Sequence, residues 1–218
     1  IMYRIIGIDK DNNLKVIADK SVTMMYSGLE KGYDKSYVNK WLNYDKDTAG
    51  SGVFENNIKE NVNYLTNTYY CEDVIDDVKN ITCDKNNTTY KISLLSLYDY
   101  YKAGGKSSFL NNGETFYLGT LNKDNYNYYI TSDGEVSINE ISTKTYAVRP
   151  VITISSGSVL LSGKGTEDEP YKILEVKPTM LEEATINTYI NYSNQVFKII
   201  DNSGEATKVA LNGVIKEN

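Results

Sequence analysis

Apolar positions along the chain follow two different periods. Near the start, two short apolar stretches, 3–8 and 14–18, flank Asp9, Lys10, Asp11, Asn12 and Asn13. Turn-forming residues between two extended runs predict a β-hairpin. The period then changes: Phe54, Ile58, Val62 and Leu65 fall at four-, four- and three-residue steps, which predicts one face of a helix. Tyr37, Val38, Trp41 and Leu42 predict a shorter helix before it. A third helix is expected to open at Ser96, where Ser-Leu-Tyr-Asp resembles a capping box, and to stop at Gly104-Gly105. From Phe116 onward strands return. Runs 126–130 and 135–138 flank Thr131-Ser132-Asp133-Gly134, a second hairpin signal, and extended runs follow at 146–154 and 171–174. Strands at both ends with helices between them predict an α+β fold.

Residues 1–175 read as one module, 176–185 with Pro178 as a linker, and 186–218 as a strand and hairpin of their own. That last part repeats the first. Val196-Phe197-Lys198-Ile199-Ile200 matches Met2-Tyr3-Arg4-Ile5-Ile6 in pattern, and Lys208-Val209-Ala210-Leu211-Asn212 echoes Lys15-Val16-Ile17-Ala18-Asp19. Ahead of the C-terminal copy lies a further extended segment carrying Tyr189, Ile190 and Tyr192. The reading is an internal repeat, one nearly whole module and the opening of another; chance similarity of two hairpins is the alternative. An opening hairpin cannot bury its apolar face alone. Tyr189, Ile190, Tyr192, Val196 and Phe197 are therefore the candidate assembly strand, expected to pack on this module or, by strand exchange, on that of a neighbouring copy.

Composition narrows the classes of partner. The net charge is −6, from 23 Lys and Arg against 29 Asp and Glu, and no basic cluster offsets it. An acidic chain repels phosphate backbones, so nucleic acid is not an expected partner. No apolar run approaches the roughly 20 residues that span a bilayer, so no membrane insertion is expected. The opening Ile-Met-Tyr-Arg-Ile-Ile reads as mid-strand, as in an exported fragment whose signal has been removed. Cys71 and Cys83 are the two cysteines. In an exported chain an even pair close in sequence points to a disulfide; two buried thiols are the alternative.

Three segments carry a family resemblance: the first hairpin; residues 92–105, with Ser96, Tyr98, Asp99, Tyr100 and Gly104-Gly105; and Val148-Arg149-Pro150-Val151-Ile152 followed by residues 163–171. In order and spacing they resemble exported surface modules of Firmicutes and Mollicutes-like bacteria, relatives of the C-type-lectin-like (formylglycine-generating-enzyme-related) fold. The resemblance implies a Gram-positive-type cell-surface location, a repeat context and paired terminal strands, and it implies no particular ligand. Where such modules commonly carry Trp, this chain has Tyr117 and Tyr129. Arg149, one of two arginines, reads as structural, because a planar guanidinium held by carbonyl or carboxylate groups is not replaced by Lys.

The chemistry of an enzyme is not written in the chain. There is no His to act as general base, no metal or cofactor is expected, and catalytic residues are none. The loop opening at Asp9 begins like a calcium loop but has Leu14 and Lys20 where Gly and Glu are needed. Gly163-Lys164-Gly165-Thr166 lacks the spacing of a phosphate loop. Asp45, Asp47 and Glu167-Asp168-Glu169 read as solvated acidic turns. The expected function is a non-enzymatic adhesion or binding module. Asn111, Asn112, Tyr126 and Tyr128 form its candidate ligand surface, and a host glycan or protein is the candidate partner. The alternative is a structural subunit of an extracellular filament or stalk, built head-to-tail from neighbouring copies.

Overall fold

The structure is a computed structural model that describes residues 1–28, 32–58, 64–71, 73–84, 89–139, 144–158, 160–173, 181–192, 195–203 and 206–213. The chain divides into two compact units, Ile1–Glu175 and Val176–Asn218.

In the first unit, strands β1 (Tyr3–Ile8) and β2 (Leu14–Ala18) form the expected hairpin. Its turn is set by one side chain: Asp9 Oδ1 accepts the backbone N–H groups of Asp11 and Asn13, both at 2.9 Å. Asn12 takes the left-handed conformation (φ 62°), which Asn tolerates better than most residues. The Asp9 carboxylate is thereby used inside the turn. Strand β3 (Thr23–Tyr26) follows, then helices α1 (Tyr37–Leu42) and α2 (Val53–Asn57) and the short strands β4 (Leu65–Thr66), β5 (Thr68–Tyr69) and β6 (Thr89–Tyr90). Helix α3 (Leu97–Lys102) starts where the capping box places it, with the Ser96 hydroxyl accepting the Asp99 N–H at 3.0 Å. The chain then leaves through Gly104 in the left-handed region (φ 109°). Strands β7 (Phe116–Leu121), β8 (Asn127–Ile130), β9 (Val136–Asn139), β10 (Thr145–Val148) and β11 (Val151–Ile154) complete the core, and β12 (Leu160–Ser162) pairs with β13 (Lys172–Ile173) on the outside. Strands dominate the described residues and all three α-helices are short, so the unit is a sheet-rich α+β fold.

Two expectations need correction. The spacing that predicted a helix through Leu65 joins separate elements. Helix α2 ends at Asn57, and Leu65 lies in β4, where it pairs with Ile154 of β11. Val62 falls outside the described residues, as do residues 176–180 of the linker with Pro178. The apolar run 146–154 is also two strands, because Pro150 has no N–H to give a ladder. Strands β10 and β11 belong to different sheets, one ordered β1-β2-β11-β4 and the other β3-β10-β7-β8-β9. The chain therefore changes sheet at Arg149-Pro150. It does so beside β2 and β3, which make the same change in the opposite direction: Ala18 N–H donates to Pro150 C=O and Val22 N–H to Val148 C=O, both at 2.9 Å.

The core lies between these sheets and the helices. One cluster gathers Val16, Val38, Leu42, Phe54, Ile92, Tyr117 and Val148; the other gathers Ile17, Leu95, Leu97, Leu110, Phe116, Leu118 and Val151. Tyr117 and Tyr129 both pack on Tyr146, the first edge-on at 5.0 Å between centroids and the second stacked at 4.4 Å. Three tyrosines thus pack as one cluster in this part of the core. Gly119 on β7 is required by a neighbour, since a Cβ there would lie 2.5 Å from the Tyr70 ring.

The second unit is one antiparallel sheet ordered β14 (Tyr189–Tyr192), β15 (Gln195–Asp201) and β16 (Lys208–Leu211), preceded by a 3₁₀ turn at Leu181–Glu183. The Asn202 amide ties that turn to the sheet, donating to the carbonyls of Leu181 (2.7 Å) and Ala184 (2.9 Å).

Candidate functional site

The four residues expected to form a ligand surface differ in burial: Asn112 is exposed, Asn111 and Tyr126 are half-buried and Tyr128 is buried. Tyr128 is a core residue, 3% exposed, and its hydroxyl donates to Ile75 C=O at 2.6 Å. The alternation of β8 sends Tyr128 and Ile130 inward together. Asn111 holds the end of α3: its Oδ1 accepts the Tyr100 hydroxyl at 3.0 Å, and its Nδ2 donates to Gly105 C=O and Lys106 C=O. Asn112 donates to Asp19 C=O and to Glu114, both at 2.8 Å. Tyr126 is half-buried beside a turn closed by Asn122, whose Oδ1 accepts the Tyr126 N–H at 2.8 Å. Asn111, Asn112 and Tyr128 thus use their polar side-chain atoms in internal bonds, from two turns and from strand β8.

Asn112 belongs instead to a polar network around Arg149. This guanidinium is 1% exposed. Nε donates to Ala18 C=O at 3.0 Å and Nη1 to Leu110 C=O at 2.6 Å, while the Phe116 ring lies 4.7 Å below. Burial draws its pKa down from the ordinary value, and the carboxylates of Glu114 and Asp19 oppose that. Arg4, the other arginine, is paired with Asp19. Burial raises the pKa of Glu114, yet the hydrogen bonds it accepts from Ser21 and Asn112, together with Arg149, outweigh it and hold the carboxyl below its usual range. A group with a depressed folded pKa stabilises the fold above its unfolded pKa, about 4.3 for Glu, and that contribution is lost as pH falls through the folded value. The urea midpoint of Glu114→Gln is therefore expected to lie below that of the wild type above pH 5. The gap should close as the pH falls below that value. A gap independent of pH would remove the carboxylate's charge from the account.

Cys71 and Cys83 form a disulfide with Cα atoms 5.8 Å apart. Asp73 gathers beside the two sulfurs, but a bonded pair offers no thiolate to a metal, and the Asp73 carboxylate accepts the Asp84 N–H at 2.5 Å. The bridge is compatible with an oxidising compartment. Among the described residues, no helix is long and apolar enough to cross a membrane.

Among the described residues, two exposed features bear on a partner. The first is a groove of about 450 Å³ lined by Tyr26, Tyr37, Lys40, Trp41, Thr48 and Ser51, among others. Tyr26 and Tyr37 meet edge-to-face at 5.3 Å and are each more than 40% exposed. Sequence reasoning missed this groove, although Tyr37, Lys40 and Trp41 sit at the spacing of one face of α1.

The second is the candidate assembly segment. Tyr189 and Tyr192 are exposed at 57% and 71%, Val196 at 40%, while Ile190 and Phe197 are half-buried. In β15 and β16, Phe197 pairs with Leu211, Lys198 with Ala210 and Ile199 with Val209, and the register slips between Ile199 and Asp201. In β1 and β2, Tyr3 pairs with Ala18, Arg4 with Ile17 and Ile5 with Val16, and the register slips between Ile5 and Gly7. The bond that follows the ladder recurs too: Asn212 N–H to Val196 C=O at 2.8 Å, Asp19 N–H to Met2 C=O at 2.9 Å. The two hairpins share one register, one irregularity and one closing hydrogen bond at the positions that the sequence aligns. Compared with protein families, curated proteins and solved structures, the chain matches none.

Proposed function

We propose that this protein is a non-enzymatic module of a repetitive bacterial cell-surface protein, C-type-lectin-like in its first unit, which acts by adhesion and by contact between modules. The observation that carries this reading is the second hairpin, which repeats the first in register, irregularity and closing bond. Repetition of a whole supersecondary unit is the mark of an array whose units stack on their neighbours. The disulfide supports an exported location. The Tyr26–Tyr37–Trp41 groove takes the place of Asn111, Asn112, Tyr126 and Tyr128 as the surface for a glycan or protein partner, since exposed aromatic rings beside Lys40 and Thr48 offer both apolar area and hydrogen bonds.

Light-scattering mass against concentration tests it, for the full chain and for a form ending at residue 175. The shorter form keeps both core clusters, which lie wholly within the first unit. The expected result is mass that rises with concentration for the full chain and not for the shorter one. Two monomeric species throughout would leave the hairpin without a role between copies. Trp41, the only Trp, then reports directly on partners entering the groove through its emission.

A further inference from the structure

Two asparagines in the chain precede glycine, Asn112-Gly113 and Asn212-Gly213. This dipeptide carries a reaction of its own. The backbone nitrogen of the glycine, unshielded by a side chain, attacks the amide carbon Cγ of the asparagine. The N–Cγ bond forms, the Cγ–Nδ2 bond breaks, and ammonia leaves with the proton that the glycine N–H gives up. Water then opens the cyclic imide to a carboxylate. The amide must turn towards the backbone for the attack, so hydrogen bonds that fix it oppose the reaction. Asn112 is fixed at both ends of its amide. Its Nδ2 donates to Asp19 C=O and to Glu114 Oε2, both at 2.8 Å, and its Oδ1 accepts the Glu114 N–H at 3.1 Å. Asn212 stands exposed just past β16, and it is its backbone N–H that closes the hairpin on Val196 C=O.

The repeat gives the product a partner. Asn212 is the counterpart of Asp19, and Lys198 is the counterpart of Arg4. In the first hairpin Arg4 lies opposite Ile17, two residues before Asp19, and its guanidinium is paired with the Asp19 carboxylate. In the second, Lys198 lies opposite Ala210, two residues before Asn212. Such diagonal neighbours on one face are within reach of long side chains. The second hairpin thus keeps the cation and the register of the first, and carries an amide where the first carries the carboxylate. We propose that Asn212 is a self-modification site, whose deamidation gives a carboxylate that pairs with Lys198 as Asp19 pairs with Arg4. The pairing rests on the repeat reading above, whereas the reaction rests on the Asn-Gly step itself. With time the second hairpin gains one negative charge and an ion pair across β15 and β16.

The test ages the full chain in warm buffer at neutral pH and follows both sites by tryptic mapping and mass spectrometry. The expected result is conversion of amide to acid at least about tenfold faster at Asn212 than at Asn112, a ratio worth about 1.4 kcal/mol, within what the bonds on Asn112 supply. In concentrated urea those bonds are gone, and the two rates should converge. A carbodiimide, which joins a carboxylate to an amine in contact with it, reads the pairing. The Lys208–Asp201 pair, at 2.7 Å, is the internal standard. A crosslink between Lys198 and position 212 should be present from the start in Asn212→Asp, and should grow with conversion in the aged wild type. Equal rates at the two sites in the folded protein, or faster conversion at Asn112, would overturn the proposal. Conversion at Asn212 with no Lys198 crosslink in Asn212→Asp would overturn the pairing, and would leave the repeat reading to stand on its backbone register.

Discussion

Arg149→Ala is expected to lower stability by about 3–5 kcal/mol, the range found when one partner of a buried charged network is removed. Against a total of about 5–15 kcal/mol for a domain, that is enough to leave much of the protein unfolded at physiological temperature. The loss has three sources. The carbonyls of Ala18 and Leu110 lose their donors at the point where two strands pass between the sheets. The volume of a fully buried side chain over Phe116 is emptied. Glu114 and Asp19 lose the positive charge between them. Arg149→Lys separates shape from charge. An ammonium is a single point and cannot place two donors on two carbonyls while lying flat on a ring. Lys should recover only part of the loss, read as a urea midpoint between those of Ala and the wild type. A Lys variant as stable as the wild type would mean that charge alone matters there, and would remove the guanidinium's role as the pin between sheets.

Removing the disulfide is the second large effect. Cys71 and Cys83 are 12 residues apart in sequence, and closing a loop of that size stabilises by about 3 kcal/mol in the chain-entropy account. The described residues of this loop lack regular structure, yet Ile75 ties the loop to the core. Its side chain is 5% exposed in the second core cluster, its N–H donates to Leu121 C=O at 3.0 Å, and its C=O accepts the Tyr128 hydroxyl. The loop is thus a clamp across β7 and β8. The double variant Cys71→Ser, Cys83→Ser is expected to show a lower urea midpoint along with faster tryptic cleavage at Lys79. Faster cleavage with an unchanged midpoint would show that the bridge holds only a surface loop.

Much of the fold was legible in the sequence where local chemistry decides it. The Asp9–Asn13 turn, the Ser96 cap and the Gly104 stop each act within a few residues, so pattern and structure agree there. The failures have one cause, which is that contacts distant in sequence assigned the residues. Leu65 joined a helical spacing by accident and is placed in a strand by Ile154. Tyr128 looked like a contact residue because Tyr suits both a core and a surface, and only its pairing on β8 decides between them. Asn111 and Asn112 likewise bond to groups that no local pattern reveals, Tyr100 in one case and Asp19 in the other. The repeated hairpin was readable because two copies of a pattern report on each other, which a single site cannot do.

Amide hydrogen exchange at two equivalent positions tests the central claim most directly. If the second hairpin repeats the first, the Asp19 N–H, bonded to Met2 C=O, and the Asn212 N–H, bonded to Val196 C=O, are both protected. Fast exchange of the Asn212 N–H beside a protected Asp19 N–H would contradict the account, because the closing bond would then belong to one hairpin and not to the other.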